Sequence, residues 1–435
     1  MEHLLTFLLV LAFIAGFLSG APLFTLIGAA GVVCFSLIAH GSITSVIVEM
    51  CRLANAPGIT AIPMFIFAGY VLAESNCSSR IIKISNSVLG WAPGGLAIVC
   101  AVGSSVFTAM TGASGVTIIA VGGILLPALL KDGYSKSFSL GLVTAAGSSG
   151  VLLVPSLPII IYGMISQVDI KQLFIACALP MVLIVICLGI AGVIHGIRHK
   201  IPTQAFNWKT LYQSTREGIW EIPLPFLVVG GIYGGIITVS EAAVATAVYV
   251  IVTECIIYRE ISIRHLFRIM VDSIITTGSI LVVLGTALGL TNFLVDQSVP
   301  QTLLEQAQII IHSKITFLLL FNVVMLFLGS IMEIYSAIVV MVPLVAPVAA
   351  GYGIDPVHLG VMFLANLELG YLTPPFGVNL FLSSLRFDIS VVKLYRYVLP
   401  FLAILCGALL LITYWEGLSL WLIKVTGAAR PILHI

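Results

Sequence analysis

The sequence predicts an all-α polytopic membrane protein built as an inverted repeat, with about five spans, one re-entrant helical hairpin and one broken helix in each copy. Three observations predict this fold class: the apolar composition, two apolar spans interrupted by glycine and proline, and an internal repeat. Of the 435 residues, 60% are hydrophobic and only 9% are charged, whereas roughly 25% are charged in soluble domains. Many apolar stretches reach the roughly 20 residues that a helix needs to cross a bilayer.

Two apolar spans carry interruptions that a continuous membrane helix avoids. In the span over 358–385, helix breakers stand at Gly370, Pro375 and Gly377. The span over 138–165 contains the segment AAGSSGVLLVPSLP, with a similar set of breakers. Proline removes a backbone donor and glycine weakens a helix, so in lipid such a backbone must find other partners or line a cavity. Two broken spans in one chain are typical of transporters.

Composition and motifs exclude several function classes. The formal net charge is +1, which provides no basic surface for a nucleic acid. The sequence contains no GxxxxGK[ST] loop, so ATP is not expected to drive the chain directly. The eight cysteines are scattered without CxxC or metal-ligand spacing, and we interpret them as small core residues. No cofactor is therefore expected apart from a coupling ion.

The first half of the chain contains five predicted spans and one hairpin. Residues 4–20 form an apolar run that resembles a signal peptide, but it continues without a small-x-small end, which favours an uncleaved span. The amphipathic segment 42–54 is predicted to lie at the membrane interface. Residues 93–130 form two apolar arms around TAMTGASG, each short for a crossing, which favours a re-entrant hairpin. The other predicted spans cover 21–40, 60–75, 138–165 and 172–196.

A shift of 220 residues superimposes helix breakers from the two halves of the chain. The matched pairs are Pro127 with Pro347, Gly133 with Gly353, Gly150 with Gly370, and Pro155 with Pro375. Only 19 prolines occur in the chain, so two coincidences at one shift indicate a structural repeat. The alternative is that apolar membrane sequences resemble one another at any shift.

The predicted repeats cover 1–200 and 221–435, and a cytoplasmic interfacial arm over 201–220 joins them. The second repeat contains the hairpin 315–349 and the broken span 358–385. Because each copy crosses the membrane an odd number of times, the second copy enters the bilayer upside down. With the arm in the cytoplasm, most of the 19 Lys and Arg residues lie inside, and the exceptions are Arg52, Lys171, Lys314, Lys424 and Arg430. The positive-inside rule predicts this asymmetry and places both termini outside.

The hairpin tips and the breaks are predicted to meet near mid-membrane and to form two cation sites. Carbonyl and hydroxyl oxygens are hard ligands for a small cation, whereas the N-termini of half-helices carry partial positive charge that suits a carboxylate. The first site consists of Gly112, Ser114, Gly150 and Pro155. The second consists of Glu333, Tyr335, Ser336, Gly370, Thr373 and Pro375. The alternative is that the glycines and serines only allow close helix packing.

Other polar side chains in apolar surroundings complete the candidate site. A carboxylate in apolar surroundings costs free energy, so such a residue is a functional candidate by default. The chain has three of these, Glu333, Glu368 and Glu241. Glu368 either caps freed backbone groups or binds a ligand, and Glu241, at an outer turn, is interpreted as structural. Asn379 either bonds substrate or rigidifies the unwound turn. The candidate substrate contacts are Ser149, Glu333 and Asn379.

These motifs resemble the large membrane subunit of tripartite ATP-independent periplasmic (TRAP) transporters, over nearly the whole chain. The segments that carry the resemblance are TAMTGASGVT, AAGSSGVLLVPSLPIIIYG, GGIITVSEAAVA, GSIMEIYSAIVVMVP and NLELGYLTPPFGVNLF. The sequence departs from the family pattern at Glu333, where the family has aspartate, and in a stretch after the first tip that is less rich in Ser and Ala.

The resemblance implies the transport domain and part of the scaffold of a sodium-driven, elevator-type importer in the bacterial inner membrane. It implies Na⁺ as the coupling ion and, as partners, a small four-span membrane subunit and a periplasmic substrate-binding protein. The implied substrate is an organic acid such as a sialic acid, a sugar acid or a C4-dicarboxylate.

The alternative within transporters is a self-sufficient sodium/dicarboxylate symporter of related architecture. Its hairpin tips typically read Ser-Asn-Thr, whereas this chain has TGASG and MEIYS. A membrane-embedded enzyme would need a nucleophile, base or metal cluster at membrane depth, and the sequence contains no such constellation. A channel is disfavoured because two inverted breaks imply alternating access.

Overall fold

The computed structural model describes residues 15, 16, 19, 23–35, 44–53, 58–203 and 205–427. In these ranges the regular secondary structure is helical. The predicted first span over 4–20 and both chain ends lie outside the described residues, apart from residues 15, 16 and 19.

The helices of the first half follow the predicted spans closely. They are α1 (Leu23–Val33), α2 (Thr44–Leu53), α3 (Ala61–Glu74), α4 (Cys77–Leu89), α5 (Gly95–Thr111), α6 (Ser114–Lys131), α7 (Lys136–Ala146), α8 (Leu157–Ser166) and α9 (Ile170–Arg198). Helix α4 was not anticipated, because its basic, polar sequence gave no apolar run to recognise.

The arm between the halves contains α10 (Trp208–Glu217), and the second half follows the same order as the first. Its helices are α11 (Pro223–Tyr233), α12 (Val239–Ile251), α13 (Ile263–Asp296), α14 (Val299–Ile310), α15 (Lys314–Ile331), α16 (Ile334–Gly351), α17 (Pro356–Gly370), α18 (Val378–Phe387), α19 (Val391–Tyr414) and α20 (Gly417–Val425). A π-helical segment, Val252–Ile257, extends α12.

Seven of the described helices are long and apolar enough to cross a membrane, which confirms the polytopic membrane fold. They include α6, α15 and α16, which are hairpin arms of 18 residues, or about 27 Å. The expectation that each arm of the first hairpin is short for a crossing is therefore wrong for α6. The reason is that α6 starts immediately after a two-residue tip and continues through Pro127 to Lys131.

The structure confirms both predicted breaks. Helix α7 ends at Ala146 and α8 begins at Leu157, and α17 ends at Gly370 before α18 begins at Val378. The Val154–Pro155 and Pro374–Pro375 peptide bonds, one in each break, are both cis. Helices α6 and α16 start at residues 114 and 334, and α7 and α17 at 136 and 356, so these helix starts keep the 220-residue shift.

The two halves interlock around the broken helices. After its break, the first half's α8 packs against the second half's hairpin arm α16, and α18 packs against α6 in the same way. These helices, with α9, α17 and α19, form what we call the core group. Around α13 a second group assembles from α1, α2, α3 and α12, and we call it the scaffold group. Helix α3 contacts the hairpin arm α5 and, in the core group, α8, and α13 contacts the hairpin arm α16 of the core group.

A buried ion cluster ties α4 to the second half of the chain. The Arg80 guanidinium donates to Glu221, to both carboxylate oxygens of Glu254 at 2.9 and 2.8 Å, and to Glu260 at 2.5 Å. Burial alone lowers the pKa of Arg80, but the carboxylates of Glu221 and Glu254 raise it above its ordinary value. The backbone N–H of Asn76 also donates to Glu260 at 2.8 Å. The start of α4 is thus anchored to the turn before α11, to the π-helical extension of α12 and to the loop that follows it.

Arg80→Gln should lower the free energy of unfolding by about 3–5 kcal/mol, because it leaves buried carboxylates without their cation. Lys83→Gln, on the same helix, removes only an exposed pair with Glu217 and should cost less than about 1 kcal/mol. Chemical denaturation in detergent micelles measures both. Equal losses in the two variants would contradict a desolvated cluster.

Candidate functional site

Each hairpin tip is a two-residue turn held by its own local chemistry. Gly112 ends α5 with φ +70°, a left-handed conformation that favours glycine. Ala113 is extended, and Ser114 begins α6. In the second tip, the Glu333 carboxylate caps α16 by accepting from the backbone N–H groups of Tyr335 (2.9 Å) and Ser336 (3.4 Å). Glu333 is therefore a helix cap, and its side chain remains exposed.

The first break packs against the arm of its own hairpin. The Thr108 hydroxyl on α5 donates to the Gly147 carbonyl at 2.8 Å. Ser105, one turn earlier, lies 2.5 Å from the Ser149 hydroxyl. A Cβ atom on Gly150 would lie 2.2 Å from the Ser105 carbonyl oxygen, so this approach requires glycine. Hydroxyl groups of the arm thus replace helix hydrogen bonds that the break removes.

The second break makes the equivalent contacts with its own hairpin. The Gly377 N–H donates to the Ser330 carbonyl at 2.9 Å. A Cβ atom on Gly370 would lie 2.7 Å from Gly329 on α15. The Tyr371 hydroxyl accepts from the backbone N–H of Ile334 (2.8 Å) and contacts Glu333 Oε1 (3.4 Å). The second tip thus meets the break of its own half as predicted, and in the first half the break meets its own hairpin at the arm, about one turn before the tip.

Three further hydrogen bonds cross between the halves, and the sequence did not predict them. The Ser114 hydroxyl, at the first tip, donates to Asn379 Oδ1 after the second break at 2.8 Å. The Tyr335 hydroxyl, at the second tip, donates to the Gly112 carbonyl at 3.1 Å. Thr144 on α7 donates to Ser383 on α18 at 2.9 Å. Both tips and both breaks therefore form one continuous polar centre.

The ends of eight helices meet at this polar centre. The N-termini are those of α6, α8, α16 and α18, and the C-termini are those of α5, α7, α15 and α17. Helix N-termini carry about half a positive charge and C-termini about half a negative one. The centre can therefore accommodate both an anion and small cations without a basic side chain, which is how broken helices serve transporters.

Solvent accessibility differs sharply between the two breaks. In the first, Ser148 and Ser149 are fully buried. In the second, residues 374–376 are exposed, and Phe376 keeps 53% of its surface accessible. The outer turn of the second break is therefore uncovered, whereas Ser148 and Ser149 of the first break are enclosed by protein.

The sequence-predicted cation residues lie at the tips and breaks, with different atoms available. The Gly112 carbonyl already accepts one hydrogen bond from Tyr335, and Thr373 donates its hydroxyl hydrogen to the Leu369 carbonyl at 2.9 Å, which leaves oxygen lone pairs on both groups. The Pro375 carbonyl accepts from Tyr395. Pro155 lines a small cavity of about 70 Å³ with apolar neighbours on α5 and α11. Sodium binding by this set stays a prediction.

The candidate substrate contacts differ in what their polar atoms do. Ser149 donates to the Ala146 carbonyl at 2.7 Å and is fully buried. Asn379 is also buried, and its Oδ1 holds Ser114 while its Nδ2 has no partner among the described residues. The contact with Ser114 supports the rigidifying role of Asn379. The unused Nδ2 leaves a donor for a ligand oxygen.

The two remaining glutamates have different outcomes. The prediction that Glu241 is structural is confirmed, because Thr238 and Glu241 form a capping box at the start of α12. The alternative that Glu368 caps freed backbone groups is wrong. It is completely buried, and within the described part of the chain neither carboxylate oxygen has a hydrogen-bond partner. The physical reason is that α17 runs on to Gly370, so no backbone group is freed at Glu368.

Sequence reasoning missed the side chains that form hydrogen bonds with polar groups in and beside the breaks. Tyr371 could have been identified from the sequence, because it follows Gly370 directly and is therefore the first residue of the second break. Ser105 and Thr108 lie three residues apart in an apolar arm, a spacing that puts two hydroxyls on one helix face. Their partners are in another element, so no local pattern identified them.

The chain matches known proteins along most of its length. Residues 10–418 match the family described as tripartite ATP-independent periplasmic transporter, DctM component. The chain is 33% identical to the isethionate TRAP transporter permease protein DctMQ of Oleidesulfovibrio alaskensis, over 83% of this chain and 58% of that protein. The C4-dicarboxylate TRAP transporter large permease protein DctM of Vibrio cholerae is 32% identical, over 84% of this chain and 85% of that protein. The chain thus spans little more than half the length of the isethionate permease.

A solved structure shares the fold. The crystal structure of the YdaH transporter of Alcanivorax borkumensis superposes with a TM-score of 0.65, covering 87% of this chain and 89% of that one. Because the sequence identity is 16%, this likeness concerns the fold alone.

The Ser114–Asn379 bond should appear as energetic coupling between the halves. In a double-mutant cycle of Ser114→Ala and Asn379→Ala, we expect a coupling of about 0.5–1.5 kcal/mol in the free energy of unfolding. A cycle of Ser139→Ala with Asn379→Ala is the control, because Ser139 bonds its own helix. Strictly additive losses for Ser114 and Asn379 would show that the contact contributes nothing.

Proposed function

This chain belongs to the family of the DctM component of tripartite ATP-independent periplasmic transporters, and from that membership we propose that it is the large transmembrane subunit of a sodium-coupled importer of an organic acid. An extracytoplasmic binding protein delivers the acid, and the subunit carries it across by an elevator mechanism. The relatives are named for isethionate and C4-dicarboxylates. The proposed substrate class therefore comprises sulfonates and carboxylates, including sialic acids and sugar acids.

The observation that carries the proposal is the crossed polar centre, in which each half supplies a tip and a break. Ser114 reaches Asn379 and Tyr335 reaches Gly112, so the two halves enclose the centre together. A channel has no need to interlock two halves, whereas a carrier must hold its cargo in a centre that moves as a unit. This arrangement supports transport by a rigid core group against the scaffold group.

An acidic substrate fits the donors that the centre leaves unused. Asn379 Nδ2 is buried without a partner in the described ranges, and a carboxylate oxygen is an acceptor that can satisfy it. The N-termini of α8 and α18 add partial positive charge close to the breaks. Glu333 places an exposed carboxylate at the second tip, and an acid bound beside it would require a compensating cation.

Sodium is the compensating cation in this proposal. The oxygen atoms proposed for the first site are those of Gly112, Ser114, Gly150 and Pro155. Those proposed for the second are on Glu333, Ser336, Gly370, Thr373 and Pro375. Carbonyl and hydroxyl oxygens at helix C-termini suit a small hard cation. Binding one or more ions beside the acid makes entry of both more favourable than entry of either, which is the requirement for coupling.

The unequal exposure of the two breaks supports an alternating mechanism. The second break is exposed while the first is covered, in part by Leu224 and Pro225 of α11. We propose that the repeats 1–200 and 221–435 are inverted in the membrane. If the first break became exposed and the second became covered, access to the centre would then move from one face of the membrane to the other. Helices α4 and α14, each of which precedes a hairpin, would then act as the connecting arms.

The proposed partners are a small four-span membrane subunit and a periplasmic substrate-binding protein. The proposed location is the bacterial inner membrane, with both termini periplasmic and the α10 arm in the cytoplasm. These assignments rest on family membership and on the distribution of Lys and Arg in the sequence. The proposal assigns no enzymatic activity and no cofactor apart from Na⁺.

Transport should require the partners. We expect the purified chain alone, reconstituted with a sodium gradient, to take up no labelled C4-dicarboxylate, isethionate or sialic acid, and uptake to appear when its binding protein and small subunit are added. The measurement is uptake by proteoliposomes with and without each partner. Robust uptake by the chain alone would favour the self-sufficient symporter instead.

Removal of one hydroxyl from each cation site should weaken sodium dependence. Ser114→Ala and Thr373→Ala each delete a candidate ligand, and an unmet ligand position costs roughly 1–3 kcal/mol, or about one to two decades in affinity. The sodium concentration for half-maximal uptake by the assembled transporter should rise accordingly. Ser279→Ala is the control, because Ser279 lies on α13 and bonds its own helix.

Two results would contradict the cation assignment. Lost transport with unchanged sodium dependence would assign the hydroxyls to packing or substrate contact. Silent variants, combined with a changed sodium response in Gly150→Ala, would instead assign the ions to backbone carbonyls.

A further inference from the structure

A cleft of about 440 Å³ lies away from the polar centre, at one end of the core group. Its walls are the start of α7, the last two turns of α9 and the first half of α19. Helix α9 ends there and α19 begins there, and both are membrane-spanning candidates. The cleft therefore lies at the boundary of the apolar layer, where two spans and a shorter helix meet.

One end of the cleft is strongly cationic. Arg198 and Arg396 approach it from different helices, and its lining contains no Asp or Glu. In the part of the chain that the structure describes, neither guanidinium has a hydrogen bond or an ion pair. Arg80 and Lys83, by contrast, are both paired with carboxylates. The His195 and His199 rings stack at 4.0 Å beside Arg198. Two arginines thus converge on a space whose described lining residues include no Asp or Glu.

The other end of the cleft is apolar. Along α9 the wall runs from Arg198 back to Ala191, about 10 Å along the helix. Along α19 it runs from Arg396 on to Ile404, about 12 Å. Ile194 and Ile404 keep 45% and 37% of their surfaces exposed. Both helices therefore present a charged end at the membrane boundary and an open apolar strip that continues into the membrane.

We propose that this cleft binds one anionic phospholipid, with its phosphate on Arg198 and Arg396 and an acyl chain along the apolar strip. Guanidinium groups match the geometry of a phosphate, and basic pockets between membrane helices are known to hold acidic headgroups. The hydroxyls of Ser135 and Tyr397, which also line the cleft, add donors for a headgroup. A soluble anion would use only the charged end and leave some 10 Å of apolar wall uncovered.

The lipid would join the two halves of the core group. Arg198 is the last residue of α9 in the first half, and Arg396 lies in α19 of the second. A phosphate shared between them connects the two helices without any direct bond between the arginines. The site is independent of the proposed substrate and ion sites.

Native mass spectrometry of the full chain, titrated with phosphatidylglycerol and with phosphatidylcholine, tests the proposal. The double variant R198Q/R396Q should bind phosphatidylglycerol about 30-fold more weakly, which corresponds to about 1 kcal/mol for each arginine. Its weak binding of phosphatidylcholine should not change. The matched control R216Q/R264Q removes the same charge from exposed arginines outside the cleft and should lose less than threefold.

Further variants keep the test decisive. R198K/R396K retains both charges and should recover most of the binding, which separates headgroup contact from misfolding. Ala191→Phe fills the apolar strip, leaves both arginines in place and should weaken phosphatidylglycerol binding by itself. Equal losses in R198Q/R396Q and R216Q/R264Q would overturn the site. Full displacement of the lipid by millimolar inorganic phosphate, with Ala191→Phe silent, would make it a site for soluble anions and overturn the lipid assignment.

Discussion

A backbone that is interrupted inside a membrane must still have its polar groups satisfied, and the rest of this structure depends on that constraint. Water is absent from the hydrocarbon layer, so each unmet N–H or C=O costs several kcal/mol. Here each break forms hydrogen bonds with the hairpin of its own half. Thr108 donates to the Gly147 carbonyl, and the Gly377 N–H donates to the Ser330 carbonyl. The hairpins thus supply hydrogen-bond partners that the breaks need.

Close backbone approach makes those contacts possible. Gly150 lies against α5 and Gly370 against Gly329 on α15, in both cases where a Cβ atom would overlap backbone atoms. The same closeness brings helix ends of opposite polarity together in one small volume. A site assembled from helix ends differs from one assembled from charged side chains, since it stays electrically mixed and can hold an anion and cations at once. That property suits a coupled carrier.

Away from the polar centre, α4 is held by charged groups. Helix α4 is held in place by the Arg80 cluster. In this cluster one guanidinium forms ion pairs with three carboxylates that are largely removed from solvent. Such a cluster adds little net stability over an apolar contact, but it penalises every other position of α4. At the polar centre the two halves are instead joined by neutral hydrogen bonds, such as those of Ser114 with Asn379 and of Tyr335 with Gly112, which break and re-form at lower cost. The position of α4 is thus fixed by a charged cluster, and the contact between the halves is fixed by neutral groups.

The sequence alone determined the membrane class, the hairpins and the breaks. Apolar composition, proline and glycine act through local backbone chemistry, so their consequences at Pro155 and Pro375 needed no knowledge of distant residues. Only the tertiary structure decided how the two halves meet. The bonds from Ser114 to Asn379 and from Tyr335 to Gly112 join residues more than 200 positions apart, and hydrogen-bond partners at that separation leave no periodic signal. The burial of Glu368 with no hydrogen-bond partner among the described residues was hidden for the same reason, because the neighbours of a side chain in a membrane core are set by packing between helices.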